Sequence, residues 1–338
     1  MKSIDKSKIA IIGARGIGNY GGFESAVSEL GPSLVKRGYT VYCSCEKSEN
    51  EEKTPEYLGV KKLYFPIKPP SNYTFRKVFE IIYDIYFIIK CSFFCDIIYT
   101  LGCGASIFLL FPRLLGKLSI VNIDGLEWKR SKFSLIERVL LKIMFSMSFI
   151  SSNVLIIDNK SLIRHINKKY HKKVVFVPYG VKIPLFAPWD KNKSNISTIL
   201  KSNCNILSNK FWLVVARLEP ENNIHMIING FLKSKTSMPL LIIGDFTSDS
   251  YKKKVCDLTS NSSNKVLFLG SIYNVDILNM FRQNCFAYIH GHSVGGTNPS
   301  LLEAMAMKNI IVAHDNEFNR EVGEKNILYF KNFSDLSD

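Results

Sequence analysis

Short β-branched runs alternate with helix-length amphipathic stretches along nearly the whole chain, and the alternation comes in two series. In the first, KIAIIG (8–13), TVYCSC (40–45), KKLYF (61–65), DIIYT (96–100), LSIVNI (118–123), NVLIID (153–158) and KVVFV (173–177) read as strands. Helices are expected over Phe23–Lys36, Leu135–Phe149 and Lys160–Lys169. Strand followed by crossover helix is the pattern of a parallel sheet with helices on its faces. The series ends at Pro178-Tyr179-Gly180, and 184–210, rich in Lys, Asn and Ser, reads as a linker. A second series follows: FWLVVAR (211–217), LLIIGD (240–245), KVLFLG (265–270), CFAYIH (285–290) and NIIVAH (309–314). Its helices are expected at Asn222–Leu232, Asp249–Thr259, Val275–Arg282 and Pro299–Met307. With 338 residues, too many for one core, the expectation is two Rossmann-like α/β domains, 1–183 and 184–338. Their parallel sheets would face each other across a cleft lined by the loops after the strands.

Charge is unevenly divided. Up to Lys182 there are 28 Lys/Arg against 15 Asp/Glu, and from Ile183 onward 16 against 14. The first half therefore carries nearly all of the +15, and any anionic partner is expected there. Nucleic acid is disfavoured, because no compact basic recognition helix and no aromatic–basic interleaving accompany the charge. The eight cysteines form no C-x-x-C pair, several fall inside strand-like runs, and the N-terminus lacks the apolar core of a secretory signal. A reduced, cytoplasmic protein is the expectation. Residues 78–115 are rich in Ile, Phe and Tyr, but Glu80, Asp84, Lys90 and Asp96 interrupt them too often for a spanning helix. The segment reads as a buried helix–strand–helix unit, or as one that also offers an apolar face to a bilayer interface.

Four loops after strands carry the polar residues from which a site can be built. In the first, Gly13–Glu24, Gly16-x-Gly18-x-x-Gly21 formally matches the dinucleotide fingerprint, but the amphipathic run starts only after Gly22. An NAD-dependent oxidoreductase would need the helix to begin within the glycines, so a loop for close ligand approach is favoured over NAD and over a plain turn. In the second, Asp124–Arg130, Asp124 at the strand end is the candidate for a substrate hydroxyl, and Trp128 either stacks on a sugar ring or packs. The third, Ala216–Asn223, brings Arg217 to the start of a helix, where a guanidinium can hold a phosphate. In the fourth, His290–Met305, Gly295 and Gly296 precede Thr297 or Asn298 as N-cap and Pro299 in the first turn, which presents free N–H groups to an anion. Glu303 further along can accept from a ribose diol, or be a Glu favoured by the helix dipole. His290 and His292 lack a third ligand nearby, so no metal is expected.

Taken together, Gly13–Glu24, Asp124–Arg130, Ala216–Asn223 and His290–Met305 resemble glycosyltransferase family 4, the retaining GT-B transferases, and within it a bacterial rhamnosyltransferase-like branch. The resemblance implies a GT-B fold that transfers a hexose or deoxyhexose, rhamnose from dTDP-rhamnose, without metal or cofactor. The dTDP- or UDP-linked nucleotide sugar is then a substrate. It implies a polyprenyl-diphosphate-linked saccharide as acceptor in surface polysaccharide synthesis, and peripheral contact with the anionic inner face of the plasma membrane. By position, Arg217 matches the phosphate-contacting Arg, Glu303 the ribose-binding second Glu of a spaced Glu pair, and Gly21 and Gly22 the loop over the diphosphate and sugar. Asp124 and Arg217 are the candidate catalytic residues. Asn222, Gly295, Gly296, Thr297 and Asn298 join the donor contacts, while Tyr20, Glu24, Glu127 and Trp128 are candidate acceptor contacts. Two departures stand out: the family's Lys is Asn222 here, and the first Glu of the pair falls on Gly295. The resemblance also implies further helices after NILYF, whereas this sequence ends at Asp338, so an inactive, truncated transferase is the remaining alternative.

Overall fold

The computed structural model describes residues 7–18, 21–47, 54–130, 133–189, 199, 206, 208, 210–260 and 265–337. They form two compact units that divide between Pro178 and Tyr179, five residues before the division read from the sequence.

Unit 1 holds an eight-stranded sheet in the order β3-β4-β2-β1-β5-β6-β7-β8. The strands are β1 (Lys8–Ile12), β2 (Thr40–Cys45), β3 (Glu56–Tyr57), β4 (Val60–Tyr64), β5 (Ile97–Leu101), β6 (Leu118–Asn122), β7 (Val154–Ile157) and β8 (Val174–Phe176). Every pairing is parallel except that of β3, a two-residue edge strand not anticipated from the sequence. Helices α1 (Gly22–Lys36), α2 (Tyr73–Ser92), α3 (Leu110–Leu114) and α4 (Leu135–Ser151) provide the crossovers. Residues 78–115 thus do form a helix–strand–helix unit. Helix α4 starts where a capping box fixes it: Ser134 accepts from Glu137 N, and the Glu137 carboxylate accepts from Ser134 N at 2.8 Å. Hydrogen bonds to Lys77, then to Ser134, hold the Glu137 carboxyl down to about 2.

The helix expected over Lys160–Lys169 is instead two 3-10 segments, Lys160–His165 and Lys168–Lys173. Asn159 caps the first segment by accepting from Ser161 N. Asn167 explains the break, since its side chain accepts from Lys169 N, which a continuous helix would bond to the His165 carbonyl. Such local bonds compete with the α-helical ladder.

Unit 2 holds a six-stranded, all-parallel sheet in the order β11-β10-β9-β12-β13-β14. Its strands are β9 (Trp212–Val215), β10 (Leu240–Ile243), β11 (Val266–Gly270), β12 (Ala287–His290), β13 (Ile311–His314) and β14 (Leu328–Phe330). The helices are α5 (Ile224–Lys233), α6 (Asp249–Thr259), α7 (Val275–Gln283), α8 (Pro299–Ala306), α9 (Glu317–Gly323) and α10 (Phe333–Ser337). Strand β10 shows why its sequence is an unbroken apolar run. Leu240 and Ile242 enter one core with α5 and α6, while Leu241 and Ile243 enter the other with α7 and α8. A strand covered on both faces has no polar side to show. The seven described cysteines are free thiols, and Cys204 lies outside the described residues.

Candidate functional site

Each sheet has one place where the strand order reverses direction, and in open α/β sheets ligands bind beyond the strand ends there. In unit 1 the chain leaves β1 for β2 on one side and later returns to β5 on the other. The loop after β1, with its glycines, lies at that point. Gly13 has φ +112°, and a Cβ on it would meet the Leu101 carbonyl oxygen at 2.5 Å, so the approach of β5 excludes a side chain. Cys103 Sγ donates to Ile123 O at 3.8 Å, tying the loop after β5 to the one after β6.

Helix α1 begins at Gly22, after all three glycines of the fingerprint-like match, so the helix does not start within them. The loop is instead pinned to the side of α1. Glu24 accepts from Arg15 N at 2.9 Å, and Ser28 Oγ accepts from Gly18 N at 2.8 Å. Glu24, a candidate acceptor contact, therefore shapes the loop. Gly22 is exposed, with open space where a Cβ would stand. At Gly21 a Cβ would overlap the Glu24 carboxylate. Tyr20 lies outside the described residues.

Arg15 turns away from the loop surface. Its guanidinium donates to Asp84 at 3.0 Å, lies 3.7 Å from Glu46 and sits 4.5 Å over the Tyr83 ring. Burial works against its charge, but Asp84, Tyr83 and Glu80 outweigh that and hold the guanidinium above its ordinary value. The Arg of the glycine loop thus fastens it to α2.

Asp124 occupies the left-handed region, φ +61°, directly after β6, and its N–H donates to Asn122 Oδ1 at 3.2 Å. A non-glycine residue in this region marks a position that its surroundings over-determine, and such positions cluster at functional sites. Glu127 is 2.8 Å from Arg130 in an ion pair. Trp128 packs against Phe145 of α4, with ring centroids 4.2 Å apart. Both of these candidate acceptor contacts therefore also have structural partners within unit 1.

In unit 2 the reversal lies between β9 and β12, so the loops 216–223 and 291–298 are neighbours. Asn222 stitches them together: its Nδ2 donates to the Arg217 carbonyl at 2.7 Å, and its Oδ1 pairs with His292 Nδ1 at 2.8 Å. Because Nδ2 is committed to a carbonyl, His292 Nδ1 must be the donor of the second bond. Asn223 Nδ2 donates to Gly291 O at 2.9 Å, and Ser293 N and Oγ both donate to Glu221 O at 2.9 Å. A Cβ at Gly291 would collide with the Asn222 backbone carbonyl. The Arg217 side chain stays 63% exposed, and its nearest ion-pair contact among the described residues is Glu219 at 3.8 Å.

Beyond the second loop, Asn298 caps α8, accepting from Ser300 N at 3.0 Å and Ser300 Oγ at 2.9 Å. Gly295 has φ +134°, a conformation that L side chains rarely adopt, so the absence of a glutamate there agrees with the local backbone. Gly296 and Thr297 are partly exposed between these two residues. Glu303 forms an ion pair with Arg282 of α7, a side chain only 2% exposed. Burial pushes the Glu303 carboxyl up and Arg282 pulls it back. Arg282 was not foreseen: within an amphipathic helix it reads as an ordinary surface cation. His290 closes β12 beneath this loop, 3% exposed and stacked on Tyr288, and its Nε2 has no hydrogen-bond partner among the described residues. Burial, aided by His314, pushes its imidazole down to about 3. Among the described residues no group of three or more His, Cys, Asp or Glu is arranged to hold a metal ion.

The His290 shift has a definite sign. In the unfolded chain a histidine gains its proton near pH 6.5, while the folded protein keeps His290 neutral down to about 3. The unfolded state then binds one more proton through that window, so stability falls as pH drops, by about 1.4 kcal/mol per unit. Urea unfolding between pH 7 and 4.5 should show a fall in stability that His290→Gln makes shallower, with His225 and His314, also held below their ordinary values by burial, supplying part of what remains.

These two parallel-sheet units, each with its loops at a reversal point, define the GT-B class. The similar solved structures agree. Sucrose-phosphate synthase from Thermosynechococcus elongatus has a TM-score of 0.75 at 13% identity, with 98% of this chain and 88% of that one covered. HepE of Anabaena in complex with UDP-glucose has 0.72 at 14%, covering 98% and 87%. An α,α-trehalose-phosphate synthase (UDP-forming) from Burkholderia vietnamiensis has 0.68 at 11%, covering 98% and 90%. At such identities the likeness is one of fold. A search of curated proteins found no match. Residues 6–182, just over half of the chain, match a domain of unknown function, DUF1972, and the chain belongs to that family. Residues 197–333 match Glycosyl transferases group 1, so the protein is a glycosyltransferase.

Proposed function

We propose that the protein transfers a deoxyhexose, rhamnose from dTDP-rhamnose, with retention at the anomeric carbon. The acceptor is a polyprenyl-diphosphate-linked saccharide in surface polysaccharide synthesis, met at the inner face of the plasma membrane. The observation that carries the reading is the stitched pair of loops after β9 and β12, with exposed Arg217 on one and the capped start of α8 ending the other. Fixed donors of this kind suit a leaving nucleoside diphosphate, whose charge grows as the glycosidic bond breaks. Glu303, oriented by Arg282, accepts from the ribose hydroxyls. Asn222, Gly295, Gly296, Thr297 and Asn298 line the same loops. Gly21 and Gly22 supply backbone that can approach the sugar and diphosphate. Asp124 contacts the reacting sugar or the acceptor hydroxyl, and Tyr20, Glu24, Glu127 and Trp128 belong to the acceptor side. UDP and UDP-glucose bound to HepE, a protein of the same fold, lend support to a nucleotide-sugar donor. The uneven charge, 28 cations against 15 acids up to Lys182, suits an anionic acceptor and membrane.

A thermal-shift panel of nucleoside diphosphates and their sugars, with NAD included, tests this reading. At a ligand concentration 100 times Kd the stabilisation is about 2.7 kcal/mol. dTDP and dTDP-rhamnose should raise the melting temperature most, and release of dTDP should follow when acceptor is added. Stabilisation by NAD alone would sink the proposal.

A further inference from the structure

Helices α2 and α4 bury one face each and leave the other apolar as well. On α4 the inward face carries Phe145, Ser148 and Phe149, while Leu135, Ile136, Val139, Leu140 and Ile143 all face outward. On α2, Phe79, Tyr83 and Phe87 point inward, while Phe75, Val78, Ile81 and Ile82 are exposed. A surface helix normally turns charge to water on that side. The two helices are neighbours: Lys77 of α2 pairs with Glu137 of α4 at 2.7 Å, and Arg113 of α3 reaches the Ile150 carbonyl. The two outward stripes therefore approach each other at their N-terminal ends, and α3, which reaches α4 through Arg113, adds the exposed Leu110 and Leu114. Single side chains thus gather into a patch of the kind that marks an interaction surface.

Charge distinguishes the occupants. Across Tyr73–Ser92, 110–117 and Leu135–Ser151 there are seven Lys/Arg against three acids. Each of those acids is already in an ion pair: Glu80 with Arg76, Asp84 with Arg15 and Glu137 with Lys77. Lys90, Arg113 and Lys142 stand exposed among the apolar side chains. A second copy would set this cationic face against itself, and like charges oppose that pairing. An anionic lipid surface matches both its apolar and its cationic parts.

We propose that the adjoining outward faces of α2 and α4 are the surface by which unit 1 lies on an anionic bilayer. The inference deepens, and rests on, the lipid-linked acceptor reading. It widens the membrane face beyond residues 78–115 to include α4. Crossover helices run back against their strands, so the N-terminal ends of α2 and α4 lie at the sheet edge where the strands end. There Phe75 (67% exposed), Leu135 (78%) and Ile136 (75%) stand at the same edge as the Asp124 loop. Docking by this face holds that loop close to the lipid surface from which a lipid-linked acceptor is presented.

Co-sedimentation of the full chain with vesicles tests it, using phosphatidylcholine alone and phosphatidylcholine mixed with phosphatidylglycerol. Wild type should pellet with the mixed vesicles and be released by salt. Ile136→Glu combined with Leu140→Glu should weaken that binding about tenfold or more, with an unchanged melting temperature and an unchanged response to nucleotide. If that variant fails to fold, Leu135→Ser with Ile136→Ser serves instead. Wild type that stays in the supernatant with anionic vesicles overturns the inference, as does a folded variant that binds as tightly as wild type. So does a concentration-dependent dimer, broken by the same substitutions, in a protein that ignores vesicles. Vesicle binding that holds up while no nucleotide stabilises the protein would sustain the docking surface and remove the transferase reading separately.

Discussion

Arg217→Ala is expected to slow sugar transfer by a factor of roughly 100 or more while leaving the fold unchanged. The fold should survive because the side chain is 63% exposed and its one ion-pair contact among the described residues, Glu219 at 3.8 Å, is long. What the loop needs from Arg217 structurally is its backbone carbonyl, which accepts from Asn222 and which alanine retains. The loss should therefore fall on the step in which the leaving diphosphate gains charge. Arg217→Lys would restore a point charge without the bidentate fork, and should recover only part of the rate. Turnover measured as nucleotide release, with the melting temperature as control, checks this. Wild-type turnover in a folded Arg217→Ala protein would take Arg217 out of the site.

A larger structural effect is expected from a single methyl group. Gly291→Ala places a Cβ on top of the Asn222 carbonyl oxygen, which belongs to backbone and has little room to yield. To relieve the overlap, the loops after β9 and β12 must part, and parting breaks the bonds from Asn223 to Gly291 and from His292 to Asn222. Overpacking of this kind costs about 1–3 kcal/mol, and each broken buried bond adds to it. The expected outcome is a lowered urea midpoint together with loss of the nucleotide response. Gly22→Ala is the contrasting substitution, since nothing stands within 4 Å of the position its Cβ would take. An unchanged midpoint in Gly291→Ala would mean that the two loops are less tightly joined than their hydrogen bonds indicate.

Much of this architecture was legible in advance because it depends on local pattern. The four-residue run Leu240–Ile243 is apolar throughout since both of its faces are covered, and that signature survives in one dimension. Asn298 followed by Pro299 announces a helix start wherever it occurs, and α8 begins there. The failure at Lys160–Lys169 is also local: the Asn167 side chain takes the Lys169 N–H that a continuous helix would bond to the His165 carbonyl. Asn222 is another matter. As a letter it is a missing lysine; folded, it is the amide that joins two loops 70 residues apart in sequence. Arg282 and Arg15 were invisible for the same reason, since their partners Glu303 and Asp84 lie on other elements, 21 and 69 residues away.

The amino-acid order alone settled the two α/β series, the strands that lie deepest in them and the four loops in which polar chemistry concentrates. Those are matters of periodicity and of short-range backbone preference, which a chain carries wherever it goes. Only the tertiary structure decided which loops meet, which cations are spent on internal pairs and which remain exposed. It likewise revealed that two helices whose starts are 62 residues apart meet through Lys77 and Glu137, each with an apolar outward side. Strand order is the physical reason: a loop's neighbours are chosen by the sheet, through pairings between segments whose separation leaves no trace in local sequence.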